Sequence, residues 1–468
     1  MPGVKRPHFV IFAIIRKAVS FFRFTNVDQA STFDPDFSLK PCHMSTSSAK
    51  AQKLLELIGS IKSYNLLLDD LKLDPDAATT QLKIPEPLSW TRESQQKRLE
   101  FLSQQTGADL SMLSGKSQMP EPDIYQGNIE QFIGLTQVPT GVIGPLAIKG
   151  TIASGDFYVP LATSEGALIA SYHRGAKATR LCGGIVSVCL TEGVQRAPLF
   201  KFFSLNQVGQ FMQWVLQQID LFKDLVSKTS RYAKLEDMRL NMEGNQVVLV
   251  FEYTTGDAAG QNMVTLCTEA ICTYILEHTP VKPEFWFIES NYSGDKKATT
   301  LSFTSVRGKK VTAEAIVTRK IVKEVLGTTP KDIAQYWQSS SVTAVQSGGI
   351  GIQGHFANGL TALFLATGQD VACVAEAYVG ITRMEVNSNG DLYVCVTLPS
   401  LTVGTVGGGT HLPTQKECLK LIGCEGPGSA RKFAEICGAT ILAGELSIAA
   451  AMANGNFSKA HRLFGRKK

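Results

Sequence analysis

The sequence predicts a folded protein that mixes helices and strands, in the α/β or α+β class. Stretches with helical and with strand-like patterns alternate along its 468 residues, which is typical of both classes. Hydrophobic residues make up 44% of the chain and charged residues 19%, so disorder is excluded as its main state. A chain of this length can bury a large core without disulfides or metal ions, and it predicts roughly three domains or subdomains.

Charge and cysteine content narrow the classes of function. The net charge of +5 at pH 7 is too small for a typical nucleic-acid-binding domain, and an anionic small-molecule substrate explains it equally well. The 10 cysteines include no CxxC pair and no zinc-finger spacing, so we expect buried free thiols in a reducing compartment and no metal site. No apolar run approaches the ~20 residues that a membrane span needs, so we expect no transmembrane anchor.

Helices are predicted for the first part of the chain. Residues 1–49 form a basic extension, which is either a tail or a segment that targets the protein to a membrane surface or an organelle. The first helix is indicated by an apolar stripe made of Leu54, Leu55, Leu57, Ile58 and Ile61. A second helix is indicated by Leu99 and Leu102, which can share one face.

From about residue 130 onward, glycine and β-branched residues become frequent and strands are expected among the helices. The pattern predicts a helix over 205–227, a strand over 247–251 and a turn at 256–257. A further helix is expected over 260–278. The alanine-rich stretch over 430–453 is apolar nearly all round, so we expect it to be a buried helix.

Two glycine-rich segments could approach a nucleotide or another anion. The segment 349–354 fits the pattern G-x-G-x-x-G, residues 342–345 before it could be a strand, and Asp370 lies near the offset of a ribose-binding acid. A single match among 41 glycines is weak, so a tight, closely packed turn is the favoured interpretation. The glycines at 407–409 would let backbone N–H groups approach an anionic ligand, or they form a flexible loop.

A few charged residues are candidates for chemistry. In the Asp-Lys-Lys run at 295–297, a partly desolvated lysine could stabilise a developing oxyanion, although such a triplet is more often solvated surface. Glu165 and Asp370 lie beside apolar segments and His461 follows the buried C-terminal helix, positions that suit acid–base work. Taken singly, each residue is more often structural.

Several segments nevertheless follow one another in the order and spacing of one family. They are Glu165-Gly166, Arg174-Gly175, Asp257-Ala258-Ala259-Gly260-Gln261-Asn262-Met263, Asn291-Tyr292-Ser293-Gly294-Asp295-Lys296-Lys297, Gly368-Gln369-Asp370, Gly404-Thr405-Val406-Gly407-Gly408-Gly409-Thr410, Ala443-Gly444-Glu445-Leu446-Ser447 and Lys459-Ala460-His461. Together these motifs resemble 3-hydroxy-3-methylglutaryl-coenzyme A (HMG-CoA) reductase, in its eukaryotic and archaeal class. The resemblance runs from about residue 120 to the C terminus and implies a soluble catalytic portion.

The resemblance implies an α+β architecture. A helical N-terminal domain would cover 50–127, and a large α/β substrate-binding domain around a central helix would cover 128–197 and 289–468. A small ferredoxin-like NADPH-binding domain would be inserted at 198–288. This arrangement is not a Rossmann fold, so the G-x-G-x-x-G match would be a coincidence. The resemblance also implies a homodimer or homotetramer with active sites at the subunit interface.

The reaction implied is an NADPH-dependent, four-electron reduction of HMG-CoA to mevalonate and free coenzyme A, in isoprenoid and sterol biosynthesis. Two hydrides would be transferred in succession, without a metal. Lys296 resembles the cation that stabilises the thioester oxygen, and Glu165 the acid that protonates it. Asp370 resembles the carboxylate that links these two residues. His461 resembles the proton donor to the departing coenzyme A thiolate.

The resemblance also implies binding residues. The hydroxymethylglutaryl portion would contact Arg196, Asp295, Lys297 and Asn358. Coenzyme A would lie near Ser171, Arg174 and His355. The 2′-phosphate of NADPH would lie near Ser230, Arg231 and Tyr232. Further cofactor contacts would come from Asp257, Gly260, Asn262 and Val406.

Two of the departures from the family pattern bear on the substrate. Gln338 stands where the family usually has a lysine that pairs with the substrate carboxylate, and Glu289 stands where it has a serine. These departures leave open a divergent paralogue with another acyl-CoA substrate, or a non-catalytic subunit that binds coenzyme A. A generic Rossmann dehydrogenase would instead hold its cofactor at 349–354. We expect a cytoplasmic protein, with peripheral-membrane or organelle targeting by the N-terminal extension as the alternative.

Overall fold

The computed structural model describes residues 47–76 and 83–455. Most of the N-terminal extension and the C-terminal residues after 455 lie outside this range, and His461 is among the residues outside it. The helices of the described residues are α1 (Ser47–Ile61), α2 (Tyr64–Asp70), α3 (Arg92–Thr106), α4 (Leu168–Arg180), α5 (Leu205–Val215), α6 (Ile219–Thr229), α7 (Gln261–His278), α8 (Arg319–Ile321), α9 (Pro330–Gln346), α10 (Phe356–Thr367), α11 (Val374–Ala377), α12 (Pro413–Leu421) and α13 (Ala430–Ala453).

The strands join into one mixed sheet that is almost wholly antiparallel. They are β1 (Thr140–Gly150), β2 (Ser154–Ala162), β3 (Ile185–Arg196), β4 (Leu199–Lys201), β5 (Lys234–Glu243), β6 (Gln246–Thr254), β7 (Phe285–Phe287), β8 (Gly308–Val317), β9 (Ile381–Val386) and β10 (Leu392–Leu401). The main order is β7-β4-β6-β3-β8-β10-β9, with β5 on β6 and the β1–β2 hairpin on β3. Only the β1–β3 pairing within the described sheet is parallel. This topology confirms the α+β class.

Helix α13 is the centre of the larger core. Nearly every side chain along it is buried, and it packs on α4 and on strands β3, β8 and β10. The contact with α4 is a direct backbone contact, because a Cβ atom on Gly175 would lie 1.8 Å from the carbonyl oxygen of Ala443. Among the described helices, only α13 is long and apolar enough to cross a membrane, which corrects the expectation that no apolar run approaches that length, but 83% of its most apolar stretch is buried inside the protein. The prediction of a buried helix here is confirmed.

A second core lies between residues 194 and 286. Strands β4, β5 and β6 bury their apolar side chains against α5, α6 and α7. Aromatic residues dominate its centre, which includes Phe200, Phe211, Phe222, Phe251 and Tyr253. The strand predicted over 247–251 and the helix predicted over 260–278 are both confirmed, as β6 and α7.

Two helix predictions need correction. The predicted helix over 205–227 is two helices, α5 and α6, joined by a 3₁₀ turn. In α1 only Leu54 and Ile58 of the predicted stripe are buried, because these two lie four residues apart on one face and little else packs against the helix. The exposed members of that stripe are Leu55, Leu57 and Ile61.

The G-x-G-x-x-G segment is a tight turn. Residues 342–345 before it belong to helix α9, so the strand that a Rossmann site needs is absent and that prediction is wrong. Gly351 has φ +92°, and a Cβ atom on it would lie 2.3 Å from the carbonyl oxygen of Gly380. The segment is therefore packed against the chain before β9, as the favoured interpretation predicted. The 9 described cysteines are free, and all but Cys395 are buried.

Candidate active site

Lys296 lies on a loop whose backbone is constrained. Its φ angle is +56°, and Asn291 at the start of the same loop has φ +67°. Residues other than glycine rarely adopt this left-handed region, and where they do the surrounding structure must hold them there. The Lys296 ammonium lies 2.8 Å from a carboxylate oxygen of Asp370, and both side chains are a little under half exposed. The hydrogen bond with Asp370 raises the pKa of Lys296, so the ammonium keeps its proton to a higher pH than an isolated lysine would.

Asp370 is fixed by the turn that follows helix α10. Its carboxylate accepts a hydrogen bond from the backbone N–H of Ala372 at 3.0 Å, which caps the 3₁₀ turn Val371–Cys373. The helix ends at Gly368, where a Cβ atom would lie 2.2 Å from the carbonyl oxygen of Gly409. The Gly-Gln-Asp motif is therefore packed directly against the glycine-rich loop at 407–409.

Glu165 pairs with a different residue. The side-chain amide of Asn358 donates a hydrogen bond to Glu165 at 2.8 Å, and Glu165 itself is exposed. Asn358 lies in the first turn of α10, whereas Asp370 lies three residues after the last residue of that helix, Thr367. At 1.5 Å per residue, the helix from Asn358 to Thr367 spans about 14 Å. The structure therefore brings Lys296 to Asp370 and Glu165 to Asn358, but in the described chain it keeps these two pairs at opposite ends of α10.

The predicted substrate residues Arg196 and Asp295 lie in a buried charge network beneath the lysine loop. The Arg196 guanidinium lies 3.1 Å from Asp295 and 3.3 Å from Glu289, and it also donates to the Gln261 carbonyl. Asp295 makes a second ion pair with Arg307. Burial would raise the pKa of Asp295, but the charges of Arg307 and Arg196 outweigh it and the pKa lies below its ordinary value.

Glu289 is held firmly in this network. Its carboxylate accepts hydrogen bonds from the backbone N–H of Asn291 at 2.8 Å and from the Ser293 hydroxyl at 3.0 Å, in addition to the Arg196 ion pair. The guanidinium fork of Arg196 is thus shared between two carboxylates, which both contact its Nη1 atom. Lys297, the remaining predicted contact, folds back so that its ammonium donates to the Asp295 carbonyl at 2.9 Å.

The residues predicted near coenzyme A meet around the end of α13. The Arg174 guanidinium and the Ser171 hydroxyl both hydrogen-bond to Ser447, at 2.7–3.1 Å. The His355 ring lies 3.3 Å from the buried carboxylate of Glu445 and stacks on Tyr172. Arg174 and Ser171 are partly exposed, whereas the His355 side chain is mostly buried.

Glu445 organises this second area. It accepts hydrogen bonds from the backbone N–H groups of Gly354 and His355, both at 2.7 Å, and from the Thr382 hydroxyl at 2.8 Å. Burial would raise the pKa of Glu445, but its bonds with His355 and the backbone donors outweigh it and lower the pKa. Glu445 stood within a motif of the resemblance, yet no role was predicted for it.

The predicted cofactor residues form two groups. In the first, the Asp257 carboxylate accepts from the backbone N–H groups of Gly428 and Ala430, which caps the start of α13. Val406 pairs with Ala258 in an isolated bridge, so the loop that begins at Gly256 lies against the glycine-rich loop. Gly260, at φ +82°, and the exposed Asn262 begin helix α7 beside them.

The second group follows helix α6. The Ser230 hydroxyl accepts hydrogen bonds from the N–H groups of Tyr232 and Ala233, at 3.2 and 3.1 Å, which fixes a turn. The side chains of Arg231 and Tyr232 are exposed on this turn. At Gly407 and Gly408 of the glycine-rich loop, a Cβ atom would meet nothing within 4 Å, so the backbone there is open to a ligand. Such a loop and the exposed Arg231 guanidinium both suit the phosphates of a dinucleotide.

Comparisons with known proteins identify the family. The family model described as hydroxymethylglutaryl-coenzyme A reductase matches residues 94–466. The 3-hydroxy-3-methylglutaryl-coenzyme A reductase of Pyrococcus abyssi is 42% identical over 376 residues, which cover 79% of this chain and 92% of that protein. The protein of the same name from Aeropyrum pernix is 40% identical over 428 residues, which cover 90% of this chain and 98% of the relative.

A solved structure shares the fold. The class II 3-hydroxy-3-methylglutaryl-CoA reductase from Streptococcus pneumoniae, solved bound to NADPH in open conformations, matches with a TM-score of 0.62 and 20% identity. The match covers 78% of this chain and 100% of that chain. With the archaeal relatives and the family match, these findings show that the chain belongs to the hydroxymethylglutaryl-coenzyme A reductase family.

Proposed function

We propose that this protein is an NADPH-dependent oxidoreductase that reduces HMG-CoA to mevalonate and free coenzyme A, a step of isoprenoid biosynthesis. Two NADPH and two protons are consumed for each thioester, and NADPH supplies the hydride in both reductions. The observation that carries the proposal is the ion pair between Lys296 and Asp370, on a strained loop of a chain that belongs to this family.

Lys296 acts on the thioester oxygen. When a hydride reaches the carbonyl carbon, the oxygen gains negative charge, and a fixed ammonium beside it stabilises that charge. Removing one such group typically costs about 10²–10³ in turnover. Asp370 holds the ammonium in place at 2.8 Å and raises its pKa further above neutral pH. The lysine is therefore charged and oriented before the substrate arrives.

Glu165 supplies the proton that the reduced oxygen needs, and His461 protonates the departing coenzyme A thiolate. A free thiol has a pKa of about 8.5, so without a donor much of the leaving group would depart as a reactive thiolate that can attack the aldehyde. Asn358 supports the proposed role of Glu165, because its amide orients the carboxylate at 2.8 Å. His461 rests on the resemblance and on the family match, which extends through residue 466.

The active site is completed by a second copy of the chain. Asn358 and Asp370 lie near opposite ends of α10, whose span from Asn358 to Thr367 is about 14 Å, so we infer that one substrate carbonyl does not contact both Glu165 and Lys296 within a single subunit. A Glu165 from one subunit meeting a Lys296 from another resolves this separation. We therefore infer a homodimer or homotetramer whose active sites lie at the subunit interface.

The cofactor and class assignments follow from the same reasoning. We assign NADPH to the region around 198–288, supported by its separate core and by the exposed Arg231 beside the Ser230 turn. The large substrate domain would cover 128–197 and 289–468, with the helical domain before it. Relatives near 40% identity from archaea favour the eukaryotic and archaeal class. The free thiols of the described cysteines fit a reducing compartment, so we place the protein in the cytoplasm.

A second candidate function is the same chemistry on another acyl-CoA. Glu289 shares the Arg196 fork with Asp295, which leaves that arginine less positive charge for the carboxylate of HMG-CoA. Gln338, at the position of the family's lysine, is exposed on α9 and carries no charge. A thioester without a free carboxylate would lose nothing from these two changes.

Activity assays on the purified protein distinguish these functions. We expect NADPH oxidation with HMG-CoA, mevalonate as the product, and a loss of about 10²–10³ in kcat for Lys296→Ala. Lys223→Ala is the matched control, since this exposed lysine pairs with Asp220 on α6 away from the proposed machinery.

Each other outcome selects another assignment. Turnover of a different acyl-CoA, but not of HMG-CoA, would select the second candidate. Binding of coenzyme A without any NADPH oxidation would indicate a non-catalytic subunit. Full activity of Lys296→Ala would refute the role given to the lysine.

A further inference from the structure

A buried ion pair lies directly beneath the loop that carries Lys296. The Nε atom of Arg307 lies 2.5 Å from a carboxylate oxygen of Glu376. Arg307 is 3% exposed and Glu376 is 1% exposed, which makes them among the most deeply buried charged residues described. Neither residue belonged to a motif of the resemblance, and neither was a predicted site residue.

Both members of the pair also contact the lysine loop. The second carboxylate oxygen of Glu376 accepts a hydrogen bond from the backbone N–H of Lys296 at 3.4 Å. Arg307 makes an ion pair with Asp295, the residue just before Lys296. The pair therefore holds two successive loop residues from below, where the backbone enters the left-handed region at Lys296.

The same short segment also holds the lysine side chain. Asp370, which pairs with the ammonium, caps the 3₁₀ turn that leads directly into α11, and Glu376 lies on α11. Residues 370–376 thus hold Lys296 by its ammonium and by its backbone at once. A shift of either contact would move the ammonium relative to the thioester oxygen.

Stability alone does not explain this arrangement. Burying two charges costs solvation free energy that their mutual attraction often fails to recover, and apolar replacements of buried pairs are frequently as stable. Burial raises the pKa of Glu376, although Arg307 opposes this effect. The remaining donors of Arg307 are satisfied by the Gln195 carbonyl and the Gln261 side chain, so its guanidinium joins four parts of the chain.

We propose that Arg307 and Glu376 are positioning residues, which hold the Lys296 backbone in the conformation that aims its ammonium at Asp370 and at the reacting oxygen. The inference rests on the proposed function, because it assigns these residues a purpose only if Lys296 is catalytic. A displacement of a catalytic group by about 1 Å can cost about 100-fold in rate.

The decisive variant removes both charges together. Arg307→Met combined with Glu376→Leu leaves no unpaired buried charge from this pair, and Asp295 keeps its ion pair with Arg196. We expect a melting temperature near that of the wild type, KM values for NADPH and HMG-CoA within about threefold, and kcat lower by about 10- to 100-fold.

Glu435→Gln is the matched control. Glu435 is also a fully buried carboxylate, but it accepts hydrogen bonds from the N–H groups of Ile152, Ala153 and Cys189 and, within the described chain, has no bond to the lysine loop. We expect this variant to melt at a lower temperature and to keep its kcat. A general loss of rigidity would lower kcat in both variants.

A folded double variant with the kcat of the wild type would overturn the proposal, as would equal losses of kcat in the control. If the double variant does not fold, Glu376→Gln takes its place, because it keeps the size of the side chain. We then expect a severalfold loss of kcat, and an unchanged kcat would overturn the proposal. Lys296→Ala is measured in the same series. Full activity there would refute the proposed function itself, whereas an inactive Lys296→Ala beside a fully active pair variant refutes only the positioning role.

Discussion

Lys296 and Glu165, the two residues proposed to act on the thioester oxygen, differ in what holds them. Lys296 is fixed by its bond with Asp370, by Glu376 beneath its backbone and by a strained φ angle. Glu165 is exposed, and its carboxylate has the Asn358 amide as its hydrogen-bond partner in the described structure. One subunit therefore builds the lysine side of the site by itself, whereas the glutamate side is open, as the proposal of a site shared between subunits requires.

The largest expected effect tests whether the two sides meet between subunits. Lys296→Ala and Glu165→Ala should each lose about 10²–10³ in kcat. Co-expressed with different tags, the two inactive chains form mixed dimers in which one of the two active sites keeps both native residues. Mixed dimers should therefore regain about half of the wild-type activity, and with random pairing the whole mixture should regain about a quarter. The measurement is NADPH oxidation by material purified through both tags and, separately, by the whole mixture.

The matched control for this mixing experiment pairs two variants of the same side. Lys296→Ala co-expressed with Asp370→Ala damages the lysine side in every chain, so no interface regains a complete site. Recovery in this control, or none in the first mixture, would contradict the division of the site between subunits.

A smaller effect concerns the charge of Lys296 as a function of pH. Because its hydrogen bond with Asp370 raises the pKa of Lys296, Asp370→Asn should lower that pKa and make the lysine lose its proton at a lower pH. The alkaline limb of the kcat profile should therefore move toward neutral pH. Asp69→Asn, which alters an exposed pair with Lys72, should leave the limb in place. An unmoved limb in Asp370→Asn would contradict the assigned origin of the pKa shift.

Affinity for HMG-CoA should respond to Glu289. Replacing it by the family's serine releases the Arg196 fork from one of its two carboxylates, so the substrate carboxylate should bind more tightly. We expect KM for HMG-CoA to fall by about threefold to tenfold, with kcat unchanged, since tenfold corresponds to ~1.4 kcal/mol. Glu289→Gln keeps the size without the charge and should share the effect. A raised KM in both variants would show that Glu289 is needed to hold Arg196.

The sequence predicted the elements whose burial is decided locally. The helix Ala430–Ala453 is apolar all round, so its position in the core followed from its own residues. The stripe of α1 failed because spacing does not reveal whether a partner packs on each residue, and most of that stripe has none. The G-x-G-x-x-G match failed because the residues before it belong to a helix rather than a strand.

The site was predicted only in part, for a similar reason. Lys296 and Asp370 came from a resemblance of motifs, and the structure brings them together although 74 residues separate them in the chain. Arg307 and Glu376 were missed, since nothing in the sequence shows that an arginine and a glutamate 69 residues apart form a pair. The available signal was a glutamate inside the apolar run around α11, which required a buried partner.

The smallest expected effect measures the openness of the glutamate side directly. Asn358→Ala removes a hydrogen bond near the surface, so the free energy of unfolding should change by no more than about 0.5 kcal/mol. Glu376→Gln, on the lysine side, weakens a fully buried ion pair and should cost about 1–3 kcal/mol. Thermal melts of the two variants, run side by side at one protein concentration, give the comparison. If Asn358→Ala proved as destabilising as Glu376→Gln, the glutamate side would be built into the subunit as firmly as the lysine side, and completion by a neighbour would no longer follow from its openness.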